Sequence, residues 1–400
     1  MSDYDVIIAG AGIIGLATGF KILKHNPKTR LLILEKENSA AKHQSGHNSG
    51  VIHSGIYYKP GSLKAKNCLK GYNQLINFCS RENMKYEICG KVIVATGESE
   101  LKALDNIYEC GIANGLSNIK KIDKDELKEI EPHANGIKAI HVPNTGIIDF
   151  KKVAEKYSEI IQKSDGELKF NEKIINVSKK NSSVEAVTQN RSFTSKVFIN
   201  CCGLYSDEIA RLTENGLDTR IIPFRGEYYK LKPEKRYLVK NLIYPVPDPA
   251  FPFLGVHFTR QITGEVEAGP NAVLSFKKEG YTKTSFNLSD TYKTLTWGGF
   301  YRIASKYYKT GMGEFYRSFS KKAFVRALQK LVPEVEENDL IKGGAGVRAQ
   351  AVDRKGNPVD DFIIHNNGNI VNVLNAPSPA ATSSLAIGET ISNLIINKLN

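Results

Sequence analysis

The chain has 400 residues, 55 Lys and Arg against 42 Asp and Glu, a net charge of +13 and 41% hydrophobic residues. That balance excludes disorder, collagen and coiled coil as whole-chain descriptions. The length suits two domains, because a single core stops growing beyond roughly 250–300 residues. The basic excess points to an anionic partner without choosing among an acidic substrate, a cofactor phosphate, a lipid surface or nucleic acid.

Residues 4–9 (YDVIIA) have the apolar, partly β-branched pattern of a buried parallel strand. The turn Gly10-Ala11-Gly12-Ile13-Ile14-Gly15 follows, then helical spacing from Leu16 to Lys24 and a second strand, 31–34, ending at Glu35. Each part has a mechanical reason in dinucleotide binding. Gly10 permits the tight turn, Gly12 lets a pyrophosphate approach the backbone, and Gly15 allows close helix–strand packing. The helix N-terminus then offers amides and a positive dipole end to phosphate. Glu35 is placed to accept from a ribose hydroxyl, with Lys36 beside it, and its carboxylate argues against a 2′-phosphate. FAD and NAD both remain open on this motif, but no second GxGxxG occurs. If FAD binds here, the other electron partner is not expected to be a nicotinamide.

No segment reads as a membrane span. The uncharged apolar run 6–20 is shorter than the ~18–20 residues a span needs and is broken by glycines. Asp3 and Asp5 precede it where a secretory signal needs positive charge, so a cytoplasmic protein without a cleaved leader is expected. The six cysteines, at 68, 79, 89, 110, 201 and 202, form no CxxC pair, so reduced thiols are expected. His43 and His47 stand four apart, but nothing completes a ligand set and no metal is expected.

Residues 36–62 form a long polar, glycine-rich segment, a type that is usually functional within a compact domain. Helices are predicted over 64–81, 99–115, 123–131 and 151–163, and strands over 91–95, 168–170, 174–178 and 195–201. From 219 to 300 alternation with Pro, Gly and aromatics predicts an antiparallel sheet. A helix over 315–331, a strand over 368–374 and a final helix over 379–399 complete the chain. The two patterns interleave, which predicts an α/β protein of two interleaved domains.

Several longer stretches carry a family resemblance: 45–66 (SGHNSGVIHSGIYYKPGSLKAK), 224–231 (FRGEYYKL), 244–260 (YPVPDPAFPFLGVHFTR), 269–281 (GPNAVLSFKKEGY), 343–353 (GGAGVRAQAVD) and 375–388 (NAPSPAATSSLAIG). With them the chain resembles the FAD-dependent oxidoreductases of the D-amino-acid-oxidase-like superfamily, and within it the L-2-hydroxyglutarate oxidase/dehydrogenase family. The resemblance implies a discontinuous Rossmann-like FAD-binding domain over 1–82, 147–218 and 340–400. An α+β substrate domain on a large antiparallel sheet is implied for 83–146 and 219–339. It further implies FAD-dependent oxidation of L-2-hydroxyglutarate to 2-oxoglutarate, with electrons passed to quinone or oxygen.

That reaction needs a flavin facing the C–H bond, a base for the hydroxyl proton and cations for the carboxylates. His53, in the polar segment, and His257, near the end of the apolar run 251–258, are the candidate bases. Arg348, among small residues, is the candidate carboxylate anchor, with Arg225 for a second carboxylate and Tyr57 and Tyr228 as donors. Ser45, Gly46, Asn48, Ser49 and Gly50 are expected to hold phosphate and flavin edges, and Gly203 to face the cofactor. By resemblance, Val177 contributes backbone contacts on the adenine side, and Ser378, Pro379, Ala380, Ala381 and Thr382 form a second flavin-binding segment.

Residues 291–330 carry nine Lys and Arg, a single acid and many aromatics, so this stretch is a candidate for peripheral contact with the inner face of the cytoplasmic membrane. Two alternatives stay open. One is oxidation of another small acid, polyol or amine, such as malate, glycerol 3-phosphate, glycine or sarcosine. The other is a basic RNA-binding flavoprotein, which would show salt-dependent RNA binding and no flavin reduction by hydroxy acids.

Overall fold

The computed structural model describes residues 2–248 and 255–399. Residues 251–254 of the apolar run before His257 therefore lie outside the described residues. Two large sheets organise the chain, and strands of both come from widely separated segments.

The first sheet has eight strands. Tyr4–Ala9 lies between Leu31–Leu34 and Ser192–Asn200, parallel to both. Glu167–Lys169 extends it in parallel beyond Leu31–Leu34, and Ile370–Asn375 pairs in parallel with Ser192–Asn200. Helices Ile13–His25, Phe150–Lys163 and Ser384–Ile395 share one apolar cluster with the sheet and with helix Leu63–Arg81. Strands buried on both faces read as continuous apolar runs, which is why 4–9 and 31–34 are so plainly legible.

The second sheet has nine strands and is mainly antiparallel. Its longest pair is Thr219–Leu231 against Leu340–Asp353. Lys91–Ala95 joins it from much earlier in the chain, parallel to Leu242–Pro245. Leu340–Asp353, which the resemblance groups with the FAD-binding part, thus belongs to the second sheet. A small three-stranded sheet of Val51–Ile52, Tyr86–Glu87 and Gly146–Ile148 links the two regions.

The expected antiparallel run to residue 300 ends earlier, at Val273–Leu274. Helices Leu288–Leu295 and Gly298–Phe319 follow, and Lys321–Gln329 continues after a break. Asn287 caps the first of these, accepting from the Asp290 amide at 2.9 Å. The aromatic-rich pattern imitates strand alternation because many of its rings face outward and obscure the helical stripe. The final helix starts at Ser384 rather than 379, since 376–383 is spent on a loop of turns at the cleft.

Candidate active site

A long cleft runs from the dinucleotide turn to the junction of the two sheets. The three turn glycines are required for different reasons. At Gly10 φ is +99°, and a Cβ would stand 2.6 Å from the Cys201 carbonyl oxygen. A Cβ on Gly15 would stand 2.0 Å from the Gly10 carbonyl oxygen. At Gly12 a Cβ would meet only Ser45 Oγ, at 3.5 Å. Protein packing therefore fixes Gly10 and Gly15, whereas at Gly12 the bare backbone faces the cleft.

Glu35 is buried, and its carboxylate accepts from the Ala11 amide at 2.8 Å and the Glu37 amide at 3.0 Å. It holds the turn in place as well as facing the cleft. Ser45 Oγ accepts from the Ile13 amide at 2.8 Å, so this hydroxyl braces the start of the helix. Lys36 lines the cleft, with its ammonium paired to Glu37 and Glu279. Glu37, His43 and Glu279 converge there, and the Lys36 charge sits among their ligand atoms.

Gly10, Gly12, Ile13, Ile14, Asn48, Ser49, Gly203 and 378–382 also line the cleft, as expected. Gly15 is packed beneath the turn, where its motif role of close helix–strand packing puts it. Three further residues do not line the cleft. A Cβ on Gly46 would strike the Ala41 carbonyl oxygen at 2.4 Å, and one on Gly50 the Ile148 carbonyl oxygen at 2.6 Å, so both shape their segment from within. Val177 is fully buried in the core opposite Ala186, and the lining there comes from Glu172, Lys173 and Ile174.

The far end of the cleft carries the reactive groups. The His53 amide donates to Thr382 Oγ1 at 3.1 Å, and His53 Nε2 lies 3.5 Å from Ser378 Oγ, tying the polar segment to the 378–382 loop. Burial pushes the His53 imidazole down to about 3, aided by repulsion from Lys91, His257 and Lys64. His257 is buried and stands behind the lining residues rather than among them; it opens strand His257–Arg260, and its Nδ1 lies 2.9 Å from the Gly255 carbonyl oxygen. That partner assigns the proton to Nδ1 and leaves Nε2 with its lone pair. Burial brings His257 down to about 4, against the effect of the Gly255 bond and with help from Lys91 and Arg348. Both imidazoles are therefore neutral at pH 7.

Arg348 is accessible from the cleft yet ringed by protein, and burial lowers its guanidinium below the ordinary value. It stands opposite Phe224 on the paired strand, and Tyr228 lines the same wall. Arg225 is the correction. Successive strand side chains face opposite ways, and Arg225 is buried with its guanidinium held by Glu227 Oε1 at 2.8 and 3.0 Å and by the Thr282 carbonyl at 2.9 Å. It is a structural ion pair and does not reach the cleft. Tyr57 stands behind the wall, its buried hydroxyl without a partner among the described residues.

Lys91 was not foreseen. It is buried at the start of an apolar strand, and the only signal was a lysine in a segment whose other residues are all apolar.

The residues present fit a flavin dinucleotide. The turn is open only where a pyrophosphate must approach, the Asn375 side-chain oxygen is buried at the cleft without a partner, and small residues at 376–382 leave their backbone accessible. Together the parallel-sheet domain, its glycine turn and the second sheet closing over the cleft define a flavin-dependent oxidoreductase. The chain belongs to the FAD dependent oxidoreductase family, whose model matches residues 5–394, and FAD is its cofactor. It is 58% identical over 390 residues to an L-2-hydroxyglutarate dehydrogenase of Indibacter alkaliphilus, covering 97% of this chain and 98% of that one. It is 44% identical over 409 residues to the mitochondrial L-2-hydroxyglutarate dehydrogenase of Homo sapiens, covering 98% of this chain and 88% of that one. Its fold is similar to that of FAD-bound L-alpha-glycerophosphate oxidase from Mycoplasma pneumoniae, with a TM-score of 0.80 at 24% identity over 99% of this chain and 95% of the other.

Proposed function

We propose that this chain oxidises L-2-hydroxyglutarate to 2-oxoglutarate. The observation that carries the reading is the end of the cleft, where the Arg348 guanidinium and the neutral His53 imidazole line the wall beside the 378–382 loop, with the neutral His257 imidazole near enough to feel the Arg348 charge. The full-length likeness to relatives named for this activity supports the choice of substrate.

Bound FAD supplies a two-electron acceptor for the hydride from C2. Arg348 holds the carboxylate next to C2 through its planar fork. His53 or His257 takes the hydroxyl proton, and at His257 the free Nε2 is the accepting atom. The substrate loses one hydride and one proton, which leaves 2-oxoglutarate. Tyr228 and the second sheet close the wall on the side away from the dinucleotide turn. We divide the chain accordingly, with the second sheet carrying the substrate side, including 340–353. A dye-coupled assay with the two enantiomers of 2-hydroxyglutarate, malate, glycerol 3-phosphate and glycine tests the choice; turnover of the L-isomer alone is expected. A rate with glycerol 3-phosphate or glycine above that with L-2-hydroxyglutarate would reassign the substrate.

The electron acceptor follows from a different surface. Helix Gly298–Phe319 is kinked at Tyr307; beyond the kink Tyr308, Met312, Tyr316 and Phe319 recur at helical spacing, and with Tyr301 before it they are 60–74% exposed. Trp297 and Phe324, from the same stretch, turn into the core. Glu314, the single acid in 291–330, is buried and bonds the Ala272 amide, so acid is missing from the outer face. Aromatics with lysines suit an anionic lipid surface, and we assign quinone there as acceptor. No helix among the described residues is long and apolar enough to cross a membrane. Sedimentation with anionic but not neutral vesicles is expected; equal recovery with both, and oxygen consumption matching substrate loss, would favour oxygen.

A further inference from the structure

Lys91 lies at the start of its strand but is only 2% exposed. Its ammonium stands 4.4 Å from the ring centroid of Tyr57 and 4.9 Å from that of Tyr244. Tyr57 comes from the polar segment after the dinucleotide turn, Tyr244 from the second sheet, so the clamp is built from both halves of the fold. Among the described residues no carboxylate pairs with this ammonium. Ring faces attract a cation but do not replace a counter-ion, and a buried charge without one is costly.

The clamp sits beside the reactive groups. The Tyr244 ring packs on the His257 ring at 4.0 Å, and Lys91 repels the charged forms of both His53 and His257. Other cations near the cleft are committed. Arg225 is held by Glu227, and Lys64 pairs with Asp360 at 2.6 Å. With Arg348 serving the carboxylate next to C2, a dicarboxylate still needs positive potential for its second group.

We propose that Lys91 is the specificity-determining cation of this site: held between Tyr57 and Tyr244 behind the two histidines, it favours 2-hydroxy acids with a second carboxylate over those with one. It is a positioning residue that acts through its charge, not by contact with the reacting atoms. The inference rests on the reading of the cleft as a 2-hydroxy-acid site. A dianion supplies the counter-charge that the fold withholds from Lys91, whereas a monoanion on Arg348 leaves it unanswered.

A pH signature follows. Burial pushes the Lys91 amine down to about 7, so its charge is present below that pH and lost above it. The groups facing it titrate elsewhere: Cys68 is pushed up to about 12, Tyr57 and Tyr244 are raised above their ordinary values, and His53 and His257 are at about 3 and 4. Glu267 is raised to about 7 as well, but it acts on Tyr228.

The test uses the FAD-loaded protein and reads binding from perturbation of the flavin spectrum. The probes are 2-oxoglutarate and 2-oxopentanoate, which share five carbons and differ by one carboxylate. Lys91→Met is expected to weaken 2-oxoglutarate by about 30-fold or more, with 2-oxopentanoate within about threefold. In the wild type the 2-oxoglutarate dissociation constant rises as pH climbs from 7 to 9. In Lys91→Arg, charged throughout, it stays flat. Where Lys91→Met fails to keep its flavin, Lys91→Gln carries the same comparison. Equal weakening of both probes, or of neither, would overturn the proposal. If L-2-hydroxyglutarate failed to reduce the wild-type flavin, the underlying reading would fall instead.

Discussion

Gly12→Ala separates a residue needed by the fold from one needed by the cofactor. Gly12 precedes helix Ile13–His25 with φ −77° and ψ 172°, a conformation open to any residue. Its added Cβ would meet only Ser45 Oγ, at an ordinary 3.5 Å. Replacing an N-cap glycine with alanine costs up to about 1 kcal/mol, and the stiffer unfolded chain returns about 0.4–1 kcal/mol. The stability of the FAD-free protein should thus stay within about 1 kcal/mol of wild type. The methyl instead occupies the space that a pyrophosphate needs. Overpacking of roughly 1–3 kcal/mol there corresponds to FAD binding about 5- to 150-fold weaker. Gly15→Ala is the contrast, because its Cβ would lie 2.0 Å from the Gly10 carbonyl oxygen and backbone must move. Urea unfolding of the FAD-free variants and fluorescence titration with FAD measure both quantities. Wild-type FAD affinity in Gly12→Ala would refute the placement of the pyrophosphate. A stability loss as large as that of Gly15→Ala would show that Gly12 is structural.

Arg225→Met should lose about 3–5 kcal/mol of stability, since it strands Glu227 in the interior, while KM for L-2-hydroxyglutarate changes less than about twofold; a large KM rise at unchanged stability would restore Arg225 as an anchor. Arg348→Met should do the reverse, lowering kcat/KM at least about 30-fold with a near-wild-type melting temperature. His257 is depressed from 6.5 to about 4, so the unfolded chain binds more protons between those values. Its contribution is fully present above pH 6.5 and shrinks as pH falls, by up to about 2 kcal/mol at pH 5. Urea unfolding of the FAD-free protein at pH 5 and 7 should show this loss, and His257→Asn should lack it; equal losses in both would count against the buried neutral imidazole. Tyr316→Ser with Phe319→Ser should weaken binding to anionic vesicles roughly tenfold while leaving dye-coupled turnover in solution unchanged.

The first strand, the glycine turn and Glu35 were legible because each demand is local: a tight turn, a close approach, an acid at a strand end. The two arginines show where locality ends. Arg225 and Arg348 have similar neighbours in sequence, and only the register that sets Phe224 against Arg348 and Arg225 against Val347 turns one to the cleft and the other away. Lys91 was hidden for a related reason. A lysine at a strand end ordinarily snorkels to water, and the two rings that enclose it come from residues 57 and 244, distant in sequence. Val177 is the one buried side chain of strand Ile174–Lys179, and the cleft is lined three to five residues earlier in the chain, at 172–174. The helical stretch over 288–314 does not read as helix in the sequence, because exposed aromatics break its apolar stripe.

The most direct test of the central claim is an anaerobic single turnover. The FAD-loaded protein is mixed with L-2-hydroxyglutarate or its D-isomer, flavin absorbance is followed and the products are quantified. The account predicts bleaching by the L-isomer alone, with one 2-oxoglutarate formed per flavin reduced. A flavin that stays oxidised with the L-isomer, or bleaches equally with both, would contradict it.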